Sequence, residues 1–120
     1  NCTEITVVSL VSDTASEGVI MSAYQTATVD MNGYDLILTE PFVGSKGTEN
    51  NAFQFLKDST VELKNGVIKA EDAKMVIQNY SNLILDNVTI IGSEKNLYLL
   101  SNNYGNIIHI LTMFNNFFIM

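Results

Sequence analysis

Thr60-Val61-Glu62-Leu63-Lys64-Asn65 is answered 22 residues later by Asn82-Leu83-Ile84-Leu85-Asp86-Asn87. Period-two alternation turns Val61, Leu63, Leu83 and Leu85 to one side of a strand and Glu62, Lys64, Ile84 and Asp86 to the other. Each segment ends on an asparagine, and each is followed by a second strand-like run, Val67–Ala70 or Thr89–Gly92. In that run Ile68 is answered by Ile90, and Ala70 by Gly92. Asparagine tolerates the left-handed backbone that a tight corner needs, and stacked asparagine side chains can bond in ladders. A third echo keeps the same interval: Phe53-Gln54-Phe55, Met75-Val76-Ile77 and Leu97-Tyr98-Leu99. Short apolar segments returning at a fixed period are coils of a solenoid, because one repeat alone cannot bury its apolar face.

The pattern extends outward in both directions. Glu71-Asp72-Ala73-Lys74 and Ser93-Glu94-Lys95-Asn96 are polar turns that close successive coils. Earlier in the chain, Val19-Ile20-Met21 takes the first-strand place and Val29-Asp30-Met31 the second. Aligning Val29 with Val61 brings the Asn32-Gly33 turn one residue early against Asn65-Gly66, which predicts a tighter corner. The same alignment makes this coil longer, with the extra residues in Thr39–Asn51, where Pro41, Gly44, Ser45, Gly47 and Thr48 are loop chemistry. Glu4–Val11 is a further strand or a cap. Later, Asn79-Tyr80-Ser81-Asn82 is echoed by Asn103-Tyr104-Gly105-Asn106 at a spacing of 24. Beyond that, Leu111–Phe118 shows no outward charge and no clean alternation. A hydrophobic cap, a partner surface and a damaged reading frame all account for it.

The expected architecture is therefore all-β: a parallel β-helix, or β-solenoid, of about four coils of about 22 residues. At 120 residues the chain holds a single domain, with residues 1–14 as N-terminal strand or cap, 15–108 as coils and 109–120 as an irregular apolar end. It begins at Asn1, from which we expect a removed leader or a fragment of a longer solenoid. No stretch reaches the roughly 18–20 apolar residues that a membrane-spanning helix needs.

Composition narrows the partners. The net charge is −7, with 6 basic residues against 13 acidic ones, and every base is a lysine. Nucleic acids and anionic membranes need clustered lysine and arginine, so neither is an expected partner. The single Cys2 cannot form an internal disulfide and reads as a residue at a frayed end. The sequons at Asn1, Asn79 and Asn87 arise freely in an asparagine-rich chain and carry no weight.

Val29-Asp30-Met31-Asn32-Gly33-Tyr34-Asp35-Leu36 resembles a strand and turn of the right-handed parallel β-helix proteins, the pectin-lyase-like superfamily. Leu85-Asp86-Asn87-Val88-Thr89-Ile90-Ile91-Gly92 resembles the matching coil, and the resemblance covers roughly residues 15–108. Phe53–Asp58 with Lys64-Asn65-Gly66, Met75–Ser81 and Leu99–Asn103 are similar to β-helix proteins of gut Firmicutes and their phages. That narrower group is taken to be surface or virion structural proteins. The resemblance implies a right-handed coil and a non-enzymatic structural or adhesive module, extracellular, on a cell surface or in a phage virion. Polysaccharide or cell-surface glycan is the implied ligand, and a homotrimer or further coils of the same chain are the implied assembly.

The superfamily also includes polysaccharide lyases and hydrolases, which makes a carbohydrate-active enzyme, or its inactive remnant, the alternative. Pectate-type lyases pair an acidic calcium site with a catalytic arginine, and this chain has no arginine. Glycoside hydrolysis needs two carboxyl groups roughly 5–9.5 Å apart. Asp30 and Glu62 are the acid-pair candidates, and they meet that distance only if their coils stack directly. We expect no catalytic residue, no cofactor and no metal: His109 is the only histidine and lacks companions at ligand spacing, and Glu71-Asp72 lacks further oxygen donors. Lys64 and Asp86, at equivalent positions, are expected to form a cross-coil ion pair. Tyr80, Tyr98 and Tyr104 are the candidate ligand contacts, either as a platform for sugar rings or as aromatics stacked along a corner. The Thr39–Asn51 excursion is the other candidate surface.

Overall fold

A computed structural model describes residues 4–115 of the chain. Twelve strands and no helix make up the described part: β1 (Glu4–Ser9), β2 (Thr14–Glu17), β3 (Val19–Met21), β4 (Gln25–Asp30), β5 (Asp35–Thr39), β6 (Asn51–Phe55), β7 (Thr60–Lys69), β8 (Met75–Asn79), β9 (Asn82–Ile91), β10 (Tyr98–Asn102), β11 (Asn106–Ile110) and β12 (Met113–Asn115). All inter-strand pairing is parallel and joins strands of successive coils. The molecule is a β-solenoid of about five turns.

Three columns of strands run along the stack. The first holds β3, β6, β8 and β10. The second holds β1, β4, the front half of β7, the front half of β9 and β11. The third holds β2, β5, the back halves of β7 and β9, and β12. Glu4–Ser9 thus forms a full second-column strand on Gln25–Asp30, which adds a turn to the four read from the sequence. At the other end, β11 and β12 carry the stack through Asn115, into the part of the chain expected to be irregular; Phe117 and Phe118 lie outside the described residues.

The 22-residue interval holds where β7 meets β9, with Val61 on Leu83, Leu63 on Leu85 and Ile68 on Ile90. Their side chains, with Val88, are at most 1% exposed and form the spine of the core. Burying a side chain of this size contributes about 1.5–3 kcal/mol. The first column departs from that interval. Phe53 pairs with Ile77, not Met75, and Ile77 pairs with Leu100, not Leu99. The cause is the corner between first and second columns, which changes length from coil to coil. Leu56 to Ser59 fill it in one coil, Tyr80-Ser81 in the next and Asn103-Tyr104-Gly105 in the last.

Two further expectations change with the register. Val29 pairs with Leu63, and it is Ala27 that pairs with Val61. Because Asp30 pairs with Lys64 and Asp35 with Val67, the Asn32-Gly33 corner spans two residues more than Asn65-Gly66 and is wider, not tighter. Gly66 lies where this wider corner passes over it. A Cβ there would collide with Met31 and stand 2.6 Å from the Tyr34 carbonyl oxygen. Lys64 and Asp86 do share a register position. The ion pairs formed among the described residues are instead Lys69–Asp35 at 2.9 Å and Lys95–Asp72 at 2.6 Å.

Candidate functional site

Polar side chains that a sheet cannot hide are ordered here into rows parallel to the stack. At the corner between second and third columns, Asn32, Asn65 and Asn87 take φ of 51, 59 and 58°. This left-handed turn lets the strand bend, and it shifts the alternation so that residues three apart, Leu63 and Gly66 or Leu85 and Val88, both face the core. The Asn87 Nδ2 donates to Asn65 Oδ1 at 3.2 Å, and Asn65 Nδ2 donates to Asp30 Oδ1 at 3.2 Å. One coil up, Asn32 Nδ2 donates to the Leu10 carbonyl at 2.8 Å. The equivalent position in the last coil is Leu111, which keeps the left-handed backbone at φ 50° without an amide to offer.

Outside this corner lies an open groove of about 470 Å³, lined by Asn32, Gly33, Asn65, Gly66, Val67, Asn87 and Thr89. Its lining carries no charge. The spare amide capacity is what the ladder leaves over. Asn32 Oδ1, Asn87 Oδ1 and the Thr89 hydroxyl have no hydrogen-bond partner among the described residues.

A second polar row crosses the first column. Gln54 Nε2 and Asn51 Nδ2 both donate to Gln78 Oε1, at 3.0 and 2.9 Å, and Gln78 Nε2 donates to the Tyr80 hydroxyl at 3.1 Å. Beside it, the Thr39–Asn51 excursion is tied down by an antiparallel bridge between Val43 and Asn51 and by Lys74 N donating to the Asn50 carbonyl. A cleft of about 650 Å³ lies there, lined by Glu40, Pro41, Phe42, Glu49, Asn50, Asp72 and Lys74. Lys95 faces this acidic side: its hydrogen bond to Asp72, with Glu71 and Glu40 adding their charge, holds its pKa above the usual lysine value.

The sequence candidates are scattered over these features. Asp30 and Glu62 lie on adjacent strands but are not opposite each other, since Asp30 pairs with Lys64 and Glu62 with Thr28. The Glu62 carboxylate accepts from Thr28 Oγ1 at 3.5 Å. The Asp30 carboxylate accepts from Asn32 N at 3.0 Å and from Asn65, and these bonds hold its pKa below the ordinary carboxylate value. That is the state of a corner cap, and it is opposite to what a general acid needs.

Tyr80, Tyr98 and Tyr104 are not brought together. Tyr80 N donates to the Phe55 carbonyl and Asn103 N to the Asn79 carbonyl, so the residue stacked on Tyr80 is Asn103. Tyr104 stands one residue further on, at φ 60° and fully exposed. Tyr98 sits in the first column, paired with Met75. No ring of the three stacks on another among the described residues. His109 pairs with Leu85 in register and meets Phe114 edge-on at 6.4 Å. Cys2 lies outside the described residues. No group of three or more metal-ligating side chains occurs among the described residues, and no helix is long and apolar enough to cross a membrane.

The asparagine corner was legible in the sequence as a ladder but not as a groove. Its signal was the recurring Asn-Gly or Asn-Val after an inward leucine or methionine. No family model, curated protein or solved structure matches this chain.

Proposed function

We propose that this solenoid is a non-enzymatic structural or adhesive module of a bacterial surface or of a phage particle, in the manner of the right-handed parallel β-helices its coils resemble. The observation that carries this reading is the direction of its polar chemistry. Asp30, Asn65 and Asn87 bond along the stack, as do Gln54 and Gln78, and Asn79 and Asn102. These bonds tie coil to coil. Every buried polar side-chain atom among the described residues has a hydrogen-bond partner within the fold. A chain without arginine, whose two candidate acids are occupied by backbone and side-chain neighbours, is suited to rigidity more than to proton transfer.

The test is direct. Purified protein is incubated with a panel of bacterial capsular and plant polysaccharides, and products are assayed for new reducing ends and for unsaturated sugars. The module leaves every polymer intact. Depolymerisation of any of them refutes the non-enzymatic reading. Mass spectrometry of purified virions and of surface-shaved cells decides where the chain resides, and recovery only from the cytosol contradicts both locations.

A further inference from the structure

Both ends of the described solenoid are open edges, and we propose that they are complementary: the last coil of one copy of this chain docks on the first coil of the next, building an open-ended, head-to-tail stack. Such a stack is independent of whether the module is adhesive or enzymatic. Among the described residues β1 and β2 have a free edge at one end, and β11 and β12 have one at the other. At both ends these strands lie in the second and third columns. A further copy therefore continues the parallel pairing that already joins the internal coils. The register carries over as well. Thr6, Ala27, Val61, Leu83 and Ile107 share one inward row, and Val8, Val29, Leu63, Leu85 and His109 share the next. Ile107 then lies on Thr6 of the next copy, and His109 on its Val8. The facing corners differ by one residue: Leu111 to Met113 separate Ile110 from Phe114, and Leu10 to Asp13 separate Ser9 from Thr14. Internal coils accommodate a difference of two, where the Asn32-Gly33 corner passes over Asn65-Gly66.

The side chains at the two ends suit this contact. In the second column the outward residues of two internal coils are polar: Thr26, Thr28 and Asp30 in one, Thr60, Glu62 and Lys64 in the next. At the ends they turn apolar, with Ile5 and Val7 exposed on the first coil and Ile108 and Ile110 on the last. In the docked register Val7, 71% exposed, sits on Ile108, 59% exposed, which itself sits on Ile84. Cross-strand apolar pairs of this kind stabilise a ladder, and the single chain leaves them in water. Inside, the first coil has no first-column strand among the described residues. An apolar recess of about 310 Å³ opens there between Val8, Leu10, Val19, Met21, Leu38 and Phe53. Ile107 and Phe114, half-buried at the opposite end, are the core residues that face it in the stack. Charge decides which ends meet. Residues 1–45 include Asp13 and Glu17 on the first coil and no lysine, whereas no Asp, Glu or Lys occurs from Tyr98 to Asn115. Two N-terminal ends repel, while an acidic end meets an uncharged one without that penalty. Two C-terminal ends can meet only with their strands antiparallel, which abandons the inward rows.

Sedimentation velocity over a concentration series, under reducing conditions, tests the stack. Thr6→Lys blocks the N-terminal end and His109→Lys the C-terminal end. Both positions are exposed in the single chain, so the new ammonium group reaches water until a second copy covers it. Thermal melting checks that both variants still fold. The wild type forms oligomers that grow with concentration and do not stop at the dimer. Each variant alone associates at least about tenfold more weakly, because docking buries an unpaired charge. Their equimolar mixture forms a dimer and nothing larger, since each supplies the end that the other lacks. A wild type that stays monomeric overturns the proposal. So does one that stops at the dimer and ignores Thr6→Lys, the signature of two C-terminal ends meeting. Association untouched by both variants, as in a side-by-side trimer, overturns it too, and so does a mixture no more associated than its components.

Discussion

Leu111 occupies the corner position that asparagine fills in three earlier coils, and its φ of 50° is one a leucine adopts only under strain. The left-handed backbone costs an ordinary L-residue about 1–2 kcal/mol, a penalty asparagine largely avoids. Leu111 recovers little by packing, since it is 81% exposed. In Leu111→Asn the new Nδ2 reaches the ladder's last acceptor, Asn87 Oδ1, as Asn87 reaches Asn65. That bond adds about 0.5 kcal/mol, the low end for an exposed pair. The total is about 1.5–2.5 kcal/mol in favour of the variant, which is roughly a 10–70-fold change in an opening equilibrium. Because a solenoid frays from its ends, the gain belongs to the last coil more than to the whole molecule. Native-state hydrogen exchange reads it there: the amides of Asn106–Ile110 exchange more slowly by that factor, and those of Gln25–Asp30 do not change. Leu111→Gly separates the two contributions, since it relieves the backbone without offering an amide. Protection in Leu111→Asn no greater than in the wild type refutes the reasoning, and protection no greater than in Leu111→Gly refutes the ladder bond.

The other predictions are smaller or more local. Leu85→Ala, at a fully buried position, costs about 2–5 kcal/mol in urea unfolding, whereas Tyr104→Ala on the surface changes nothing measurable. Gly66→Ala forces a Cβ into Met31 and the Tyr34 carbonyl and lowers stability by about 1–3 kcal/mol, seen as an earlier urea midpoint. Asp30 has its folded pKa held below the ordinary 3.8, so its contribution is present above that pH and is lost as pH falls through the lower folded value. Thermal melts of Asp30→Asn therefore lose less stability than wild type between pH 4 and pH 2, on the order of the carboxylate titration range. The half-exposed Lys69–Asp35 pair contributes under about 1 kcal/mol, and a double-mutant cycle in low and high salt measures it.

How far the sequence could be read depended on which corner a strand follows. Within β7 and β9 the turn between second and third columns is one left-handed asparagine, so the spacing from Leu63 to Ile68 repeats from Leu85 to Ile90 and the 22-residue echo is true. Between first and second columns the turn takes two to four residues, so an equal spacing in sequence no longer means an equal place in the coil. Phe53 and Met75 look alike at a separation of 22, yet Phe53 lies on Ile77. Apolar residues fill both alternatives in this column, because β6 is buried along its whole length and offers no polar side to fix the phase. The same slip separated Tyr80 from Tyr104. Asp30 and Glu62 missed each other because the wide Asn32-Gly33 corner moved Asp30 opposite Lys64. Hydrogen bonds that spend the Asp30 carboxylate, and the groove outside the asparagine ladder, depend on coil-to-coil geometry that no linear pattern states.

The first column is where the observed coil register and a plain 22-residue repeat disagree. Gln54 and Gln78 face each other there, with side chains 3.0 Å apart. With Cys2→Ser to remove the native thiol, Gln54→Cys combined with Gln78→Cys places two thiols on paired residues, within the Cα separation of about 4.4–6.8 Å that a disulfide accepts. Mild oxidation of the monomer, followed by peptide mapping, should link this pair readily and leave Gln54→Cys with Val76→Cys reduced, since Val76 is buried in the core. Rapid linkage of the Val76 pair, with the Gln78 pair left free, would contradict the stack.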